Sequence, residues 1–130
     1  MNVIGIGTDI TQCSRIEKMI QKHADVFLNR VFTENELSYC GQRKALAQHY
    51  TGRFAAKEAI LKALGTGWAK GILWTDIEVV NEPNGKPVVG LTGQAKVISE
   101  SLGITEVLIT ISHCDDYAVA FATAVGDPSA

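Results

Sequence analysis

The chain has no apolar run longer than a β-strand, so no stretch of it could cross a bilayer as a helix. Its opening residues, MNVIGIGTD, lack the basic start and long apolar segment of a secretory leader, and a cytoplasmic protein is expected. Cysteine pairing is missing too. Cys13, Cys40 and Cys114 are odd in number and scattered, with no CxxC and no histidine at zinc-ligand spacing. That excludes a disulfide framework and a structural zinc site, and leaves reduced thiols. Cys114 adjoins His113, but neighbours in sequence seldom face each other, so the two do not read as nucleophile and base. No internal repeat or low-complexity segment is present.

Acidic residues are scarce in one stretch. From Gly41 to Lys70 the bases Arg43, Lys44, Arg53, Lys57, Lys62 and Lys70 face a single acid, Glu58. The local charge is +5 in a chain of net charge −2, so the remainder carries −7. Such segregation creates a field that concentrates phosphates or an acidic protein around a mildly acidic molecule. With 130 residues, 46% hydrophobic and 20% charged, the chain suits one globular domain over residues 1–125, followed by a disordered tail at 126–130.

The helix from Thr51 to Gly65, TGRFAAKEAILKALG, organises the rest. Ala, Leu and Lys favour helix from Phe54 onward, and Gly65-Thr66-Gly67 stops it. The helix can begin as early as Ala45 with Gly52 inside it. At 3.6 residues per turn, Ala55, Ala56, Ala59, Ile60, Ala63 and Leu64 share one side, suited to close packing. Phe54, Glu58, Leu61 and Lys62 lie on the other, with Arg53 and Lys57 at the edge of the stripe. Glu58 and Lys62 alone would be an ordinary i, i+4 surface pair worth about 0.3–0.5 kcal/mol. Set among cations, Glu58 instead suggests a site for a metal and a more anionic ligand.

The remaining elements alternate strand and helix. Val3–Thr8 reads as a strand whose two glycines suggest close backbone approach, and Asp9 after it reads by position as an N-cap or Asx-turn residue. The same position would also project a carboxylate from the end of a sheet. Cys13–His23 is amphipathic, with Ile16, Met19 and Ile20 on one side and Arg15, Lys18 and Lys22 exposed, a face able to dock an acidic helix. A short helical piece follows at Val26–Arg30. Thr33 and Glu36 form a capping box for a helix to about Gly41. After a Gly- and Trp-rich loop, a strand from Asp76 to Asn81 meets an Asn84-Gly85 turn and returns over Val88–Leu91. Thr92 caps a helix to about Leu102, closed by Gly103. Strands Glu106–Ser112 and Tyr117–Val125 form a hairpin around His113, which reads by position as an exposed turn residue. In the last strand Ala118, Ala120, Ala122 and Ala124 share a face that invites a helix or another subunit.

Gly7-Thr8-Asp9-Ile10, Gly52-Arg53-Phe54-Ala55-Ala56-Lys57-Glu58-Ala59, Asn84-Gly85-Lys86-Pro87 and Ser112-His113 together resemble the holo-[acyl-carrier-protein] synthases, the short type of 4'-phosphopantetheinyl transferase. The similarity runs in order over nearly the whole chain. It implies an α+β fold with a small, mostly antiparallel sheet and a long helix packed against it. It further implies Mg²⁺-dependent transfer of phosphopantetheine from coenzyme A to a serine of acyl carrier protein, for fatty acid biosynthesis, by a homotrimer with sites between subunits. No nucleic acid or membrane partner is implied. By the same resemblance Asp9 and Glu58 hold the metal, and Lys62 acts beside them. Arg53, Lys62, Lys44 and His113 meet coenzyme A, whereas Arg15 and Met19 meet the carrier. Two carboxylates suffice for Mg²⁺ where substrate phosphates and water complete its shell. The serine proton is left between Glu58 and a metal-bound water.

Two other readings suit the same residues. A non-catalytic module could bind acidic helical carrier proteins through the basic face without metal. A metal-dependent hydrolase could cleave a nucleotide pyrophosphate with water in place of serine. The pairing of Asp9 with Glu58 favours an enzyme, and the family resemblance separates transfer from hydrolysis.

Overall fold

The computed structural model describes residues 1–41, 46–68 and 71–128. Strand β1 (Asn2–Gln12) leads into α1 (Cys13–Val31), followed by α2 (Glu34–Gly41) and the long α3 (Leu46–Leu64). A short 3-10 turn at Trp74–Asp76 precedes β2 (Ile77–Asn81) and β3 (Pro87–Leu91). Helix α4 (Gly93–Ser101) and strands β4 (Ile104–His113) and β5 (Tyr117–Gly126) complete the chain. The fold is α+β, as the resemblance implies. All strand pairing is antiparallel, divided between a three-stranded sheet β1-β5-β4 and a separate β2-β3 hairpin.

A seam of small residues lays α3 across the three-stranded sheet. Gly5, Gly7, Ala120, Ala122 and Ala124 of β1 and β5 meet Ala55, Ala56, Ala59 and Ala63 of α3. A Cβ at Gly5 would overlap the carbonyl oxygen of Ala63, and one at Gly7 that of Ala59. The close approach expected of those glycines is therefore real, and the alanine face of β5 is covered by the chain's own helix.

The helix is not one-sided, as its sequence suggests. Phe54 packs with Ile16, Phe27, Val31, Phe32, Cys40 and Tyr50 in a second cluster beneath α1 and α2. Leu61 and Ile60 are buried with Ile77 and Val79. Each such aliphatic side chain contributes about 1.5–3 kcal/mol by its burial, so the larger residues supply cohesion while the small ones set the distance to the sheet. Lys57, expected at a stripe edge, is wholly buried against Glu36.

Several element ends differ from expectation. Strand β1 continues through Asp9 to Gln12, and Gln12, not Asp9, stands at the N-terminus of α1. The two helical pieces expected at 13–30 are one element kinked at Ala24, which has φ 44° and ψ −123°. The hairpin turn is longer than a two-residue Asn-Gly turn: Glu82 N–H donates to Lys86 O and Gly85 N–H to Glu82 O, with Gly85 at φ 89°. A three-residue loop closed by a left-handed glycine fits that pattern. Strand β5 runs to Gly126, one residue into the stretch expected to be disordered, and Asp127 N–H donates to Gly103 O.

Candidate active site

Close packing of β1 on α3 carries Asp9 to its place. Gly5 sits on Ala63 and Gly7 on Ala59, so two strand residues match about one helical turn. The next inward residue of β1 is Asp9, which thereby falls beside the turn bearing Glu58 and Lys62. Lys62 Nζ lies 3.5 Å from Asp9 Oδ1 and donates to Thr8 O at 2.8 Å. Its ammonium is thus shared with β1, and Lys62 makes no ion pair with Glu58 among the described residues. Lys62 is 56% exposed and Asp9 17%, which leaves the cluster open to a ligand from solvent.

Each carboxylate accepts one side-chain hydrogen bond among the described residues. Thr11 Oγ1 donates to Asp9 Oδ2 at 2.6 Å, and Trp68 Nε1 donates to Glu58 Oε1 at 3.2 Å. Oε2 of Glu58 has no hydrogen-bond partner among the described residues. Hard oxygen donors with no sulfur or imidazole nitrogen between them fit a cation of the Mg²⁺ kind, and two carboxylates leave most of its shell to phosphates and water. No group of three or more His, Cys, Asp or Glu side chains able to hold a metal occurs among the described residues.

A second group of polar residues lies elsewhere. Arg53, Tyr39, His49 and His113 line a cavity of about 190 Å³ whose wall also includes Asn81 and the hairpin residues Gly85 and Pro87. The Arg53 guanidinium lies 4.1 Å over the Tyr39 ring and donates to Asn81 Oδ1, while its buried Nε has no hydrogen-bond partner among the described residues. The His49 and His113 rings are 5.8 Å apart. His113 and Asp9 occupy opposite edge strands of the sheet with β5 between them and are offset by two residues in register, a separation of about 12 Å from strand geometry. The residues expected to share a site therefore fall in two places in one chain: Lys62 against Asp9, with Glu58 one helical turn before Lys62 on α3, and Arg53 with His113 around the cavity. Lys44 lies outside the described residues.

Arg15 is exposed on α1, its guanidinium 5.4 Å from the centroid of Phe54, which stands one helical turn before Glu58. Met19 is half-buried against the Ile16–Phe54 cluster, so only part of it is available to a partner. Burial pushes Lys57 below its ordinary pKa against the raising influence of Glu36, and burial raises that of Tyr50. Lys57 is thus a structural cation rather than a surface one. Sequence reasoning missed Thr11, His49 and Trp68. Thr11 lies two residues after Asp9 and hence on the same strand face, and His49 is one helical turn before Arg53; both spacings were available as signals. The loop residue Trp68 offered none.

Fold and site define an α+β protein with two carboxylates and a lysine where its sheet meets α3, a donor set suited to phosphates held through a hard cation. Residues 5–122 match the 4'-phosphopantetheinyl transferase superfamily. A holo-[acyl-carrier-protein] synthase of Protochlamydia amoebophila is 50% identical over 119 residues, covering 92% of this chain and 95% of that protein. The crystal structure of the Neisseria meningitidis holo-[acyl-carrier-protein] synthase superimposes with a TM-score of 0.87 at 34% identity, covering 95% of this chain and 99% of that one. The Helicobacter pylori holo-[acyl-carrier-protein] synthase, solved in complex with coenzyme A, gives 0.82 at 30% identity, with 92% and 99% covered. The chain belongs to the 4'-phosphopantetheinyl transferase superfamily, in its holo-[acyl-carrier-protein] synthase group.

Proposed function

We propose that this protein transfers the 4'-phosphopantetheine group of coenzyme A to a serine of an apo acyl carrier protein, releasing 3',5'-ADP. The observation that carries the reading is the Asp9–Lys62–Glu58 cluster, set by the Gly7–Ala59 contact in a chain homologous throughout to holo-[acyl-carrier-protein] synthases. Asp9 and Glu58 would hold Mg²⁺, which when bound neutralises charge on the coenzyme A diphosphate. Lys62, now on Asp9 and Thr8, has the reach and exposure to turn onto a phosphate oxygen. There it would stabilise the charge that builds as the serine oxygen bonds to phosphorus and the bond to the 3',5'-ADP oxygen breaks. Glu58 or a neighbouring water would take the serine proton.

The Arg53–His113 cavity would take another part of the nucleotide. The unpartnered Nε of Arg53 beside it supports an anionic group such as a phosphate. We place the two groups in one site by assembling three chains, so that Asp9, Glu58 and Lys62 of one subunit face His113 of the next. An exposed apolar sheet face supports assembly: Ile6 and Ile10 are 61% and 64% exposed, and Val119, Phe121 and Leu108 share their side of the sheet. The exposed face of α1 around Arg15, with the outer part of Met19, would receive the acidic carrier. The reaction belongs in the cytoplasm, which suits a chain whose Cys13 and Cys114 form no disulfide.

Chromatography of the nucleotide products tests the reading. Coenzyme A and Mg²⁺ should give 3',5'-ADP only when apo acyl carrier protein is present. Release without the carrier would identify a hydrolase, and binding of the carrier with no release would identify a docking module.

A further inference from the structure

The loop after α3 folds back onto the helix. Gly65, Gly67 and Gly71 have φ of 78°, 57° and 80°, a left-handed conformation that residues with a Cβ rarely adopt. The returning loop puts Trp68 over Glu58, within hydrogen-bond distance at 3.2 Å. Its ring is fixed from behind. The Trp68 and Trp74 ring centroids are 3.7 Å apart at 37°, and Trp74 stacks on Phe54 at 5.0 Å and 26°. Phe54 lies one turn before Glu58 on α3, so the chain of contacts Phe54, Trp74, Trp68, Glu58 starts and ends on one helix.

We infer that Trp68 is a positioning residue for Glu58, its indole N–H tying Oε1 in place so that Oε2 is left for the cation. The inference rests on the proposed transferase reading. A glutamate side chain has several rotamers, and a half-exposed one gives up that freedom when it takes a metal. Trp68 removes part of that freedom beforehand. A carboxylate has about four lone-pair directions on its two oxygens, so one indole donor does not exclude a metal. Groups that orient a metal ligand commonly change metal affinity or activity about 10–100-fold when lost.

Trp68→Phe keeps an aromatic ring against Trp74 while removing the N–H together with the pyrrole part of the indole. The Mg²⁺ concentration giving half-maximal transfer should rise about 10-fold, with the KM for the carrier unchanged. A merely structural Trp68 would leave Mg²⁺ dependence alone. Trp68 and Trp74 are the two tryptophans of the chain, which provides a second readout. In Trp74→Phe, emission comes from Trp68 and should shift on adding Mg²⁺ with coenzyme A. Adding Glu58→Ala should change that emission in plain buffer and abolish the shift. An unaltered Mg²⁺ requirement in Trp68→Phe, or identical Trp68 emission with and without Glu58, overturns the inference. Absence of transfer by the unsubstituted protein would instead overturn the transferase reading, while the emission comparison in buffer still decides whether Trp68 holds Glu58.

Discussion

The ammonium of Lys57 lies 2.7 Å from Glu36 Oε1, and neither side chain reaches solvent. Lys57 also donates to Val31 O at 2.7 Å and to Trp74 O at 3.1 Å. Glu36 accepts from the backbone N–H groups of Thr33 and Val79, each at 2.9 Å. One buried pair thus joins α3 to the end of α1, the start of α2, and β2.

Lys57→Ala should cost about 3–5 kcal/mol of unfolding free energy, because it leaves Glu36 charged and buried without its partner. Urea denaturation measures this. Replacing both residues by apolar ones of similar size should cost less than Lys57→Ala alone, and the opposite order would refute the account of the pair.

The same pair predicts a pH dependence. Lys57 is held below its ordinary value of 10.5 by burial, while Glu36 raises it. A lysine depressed in the folded state binds fewer protons folded than unfolded, so its stability contribution is complete above 10.5 and is lost as pH falls through the lower folded value. Glu36→Gln removes the raising influence and widens that window. Stability of Glu36→Gln should therefore climb more steeply than that of the parent as pH rises from neutrality towards 10.5, as denaturant midpoints would record.

Much of this architecture was legible in the residues. The Thr33–Glu36 capping box, the alanine faces of α3 and β5, and the hairpin at Asn84-Gly85 all rest on local rules of spacing and turn chemistry. Lys57 defeated the same rules because its counter-charge comes from another helix, and no period within α3 could reveal it. By position Asp9 reads as an N-cap or Asx-turn residue, because an aspartate after a strand commonly caps a helix. Here Thr11 takes its carboxylate on the same strand face, and β1 runs on. For the site, residue types and family pattern named both groups, but their separation on opposite edge strands is a property of the β1-β5-β4 order.

Asp9→Ala and Glu58→Ala should each abolish transfer while leaving the circular dichroism spectrum and melting curve close to the parent's. Either carboxylate alone is a poor ligand set for Mg²⁺ in competition with water. Near-normal turnover at limiting Mg²⁺ in either variant would remove that residue from the metal site.

Arg15→Glu should raise the KM for the carrier far more than that for coenzyme A, and the difference should shrink with added salt. Because Arg15 stands over Phe54, one turn from Glu58, a smaller effect on coenzyme A is expected as well. Equal effects on both substrates, or insensitivity to salt, would count against α1 as the docking face.

A site shared between subunits predicts complementation. A Glu58→Ala chain still supplies His113, and a His113→Ala chain still supplies both carboxylates. Refolded together, the two inactive variants should yield more activity than the sum of each alone, once light scattering confirms that both assemble and mix. Activity merely equal to that sum would place the site within one chain.

The transfer itself is tested most directly by the intact mass of an apo acyl carrier protein after incubation with this protein, coenzyme A and Mg²⁺. The account predicts a gain of one phosphopantetheine on a single serine, absent without metal and absent with Glu58→Ala. A carrier whose mass is unchanged under conditions where the protein is folded and binds coenzyme A would contradict it.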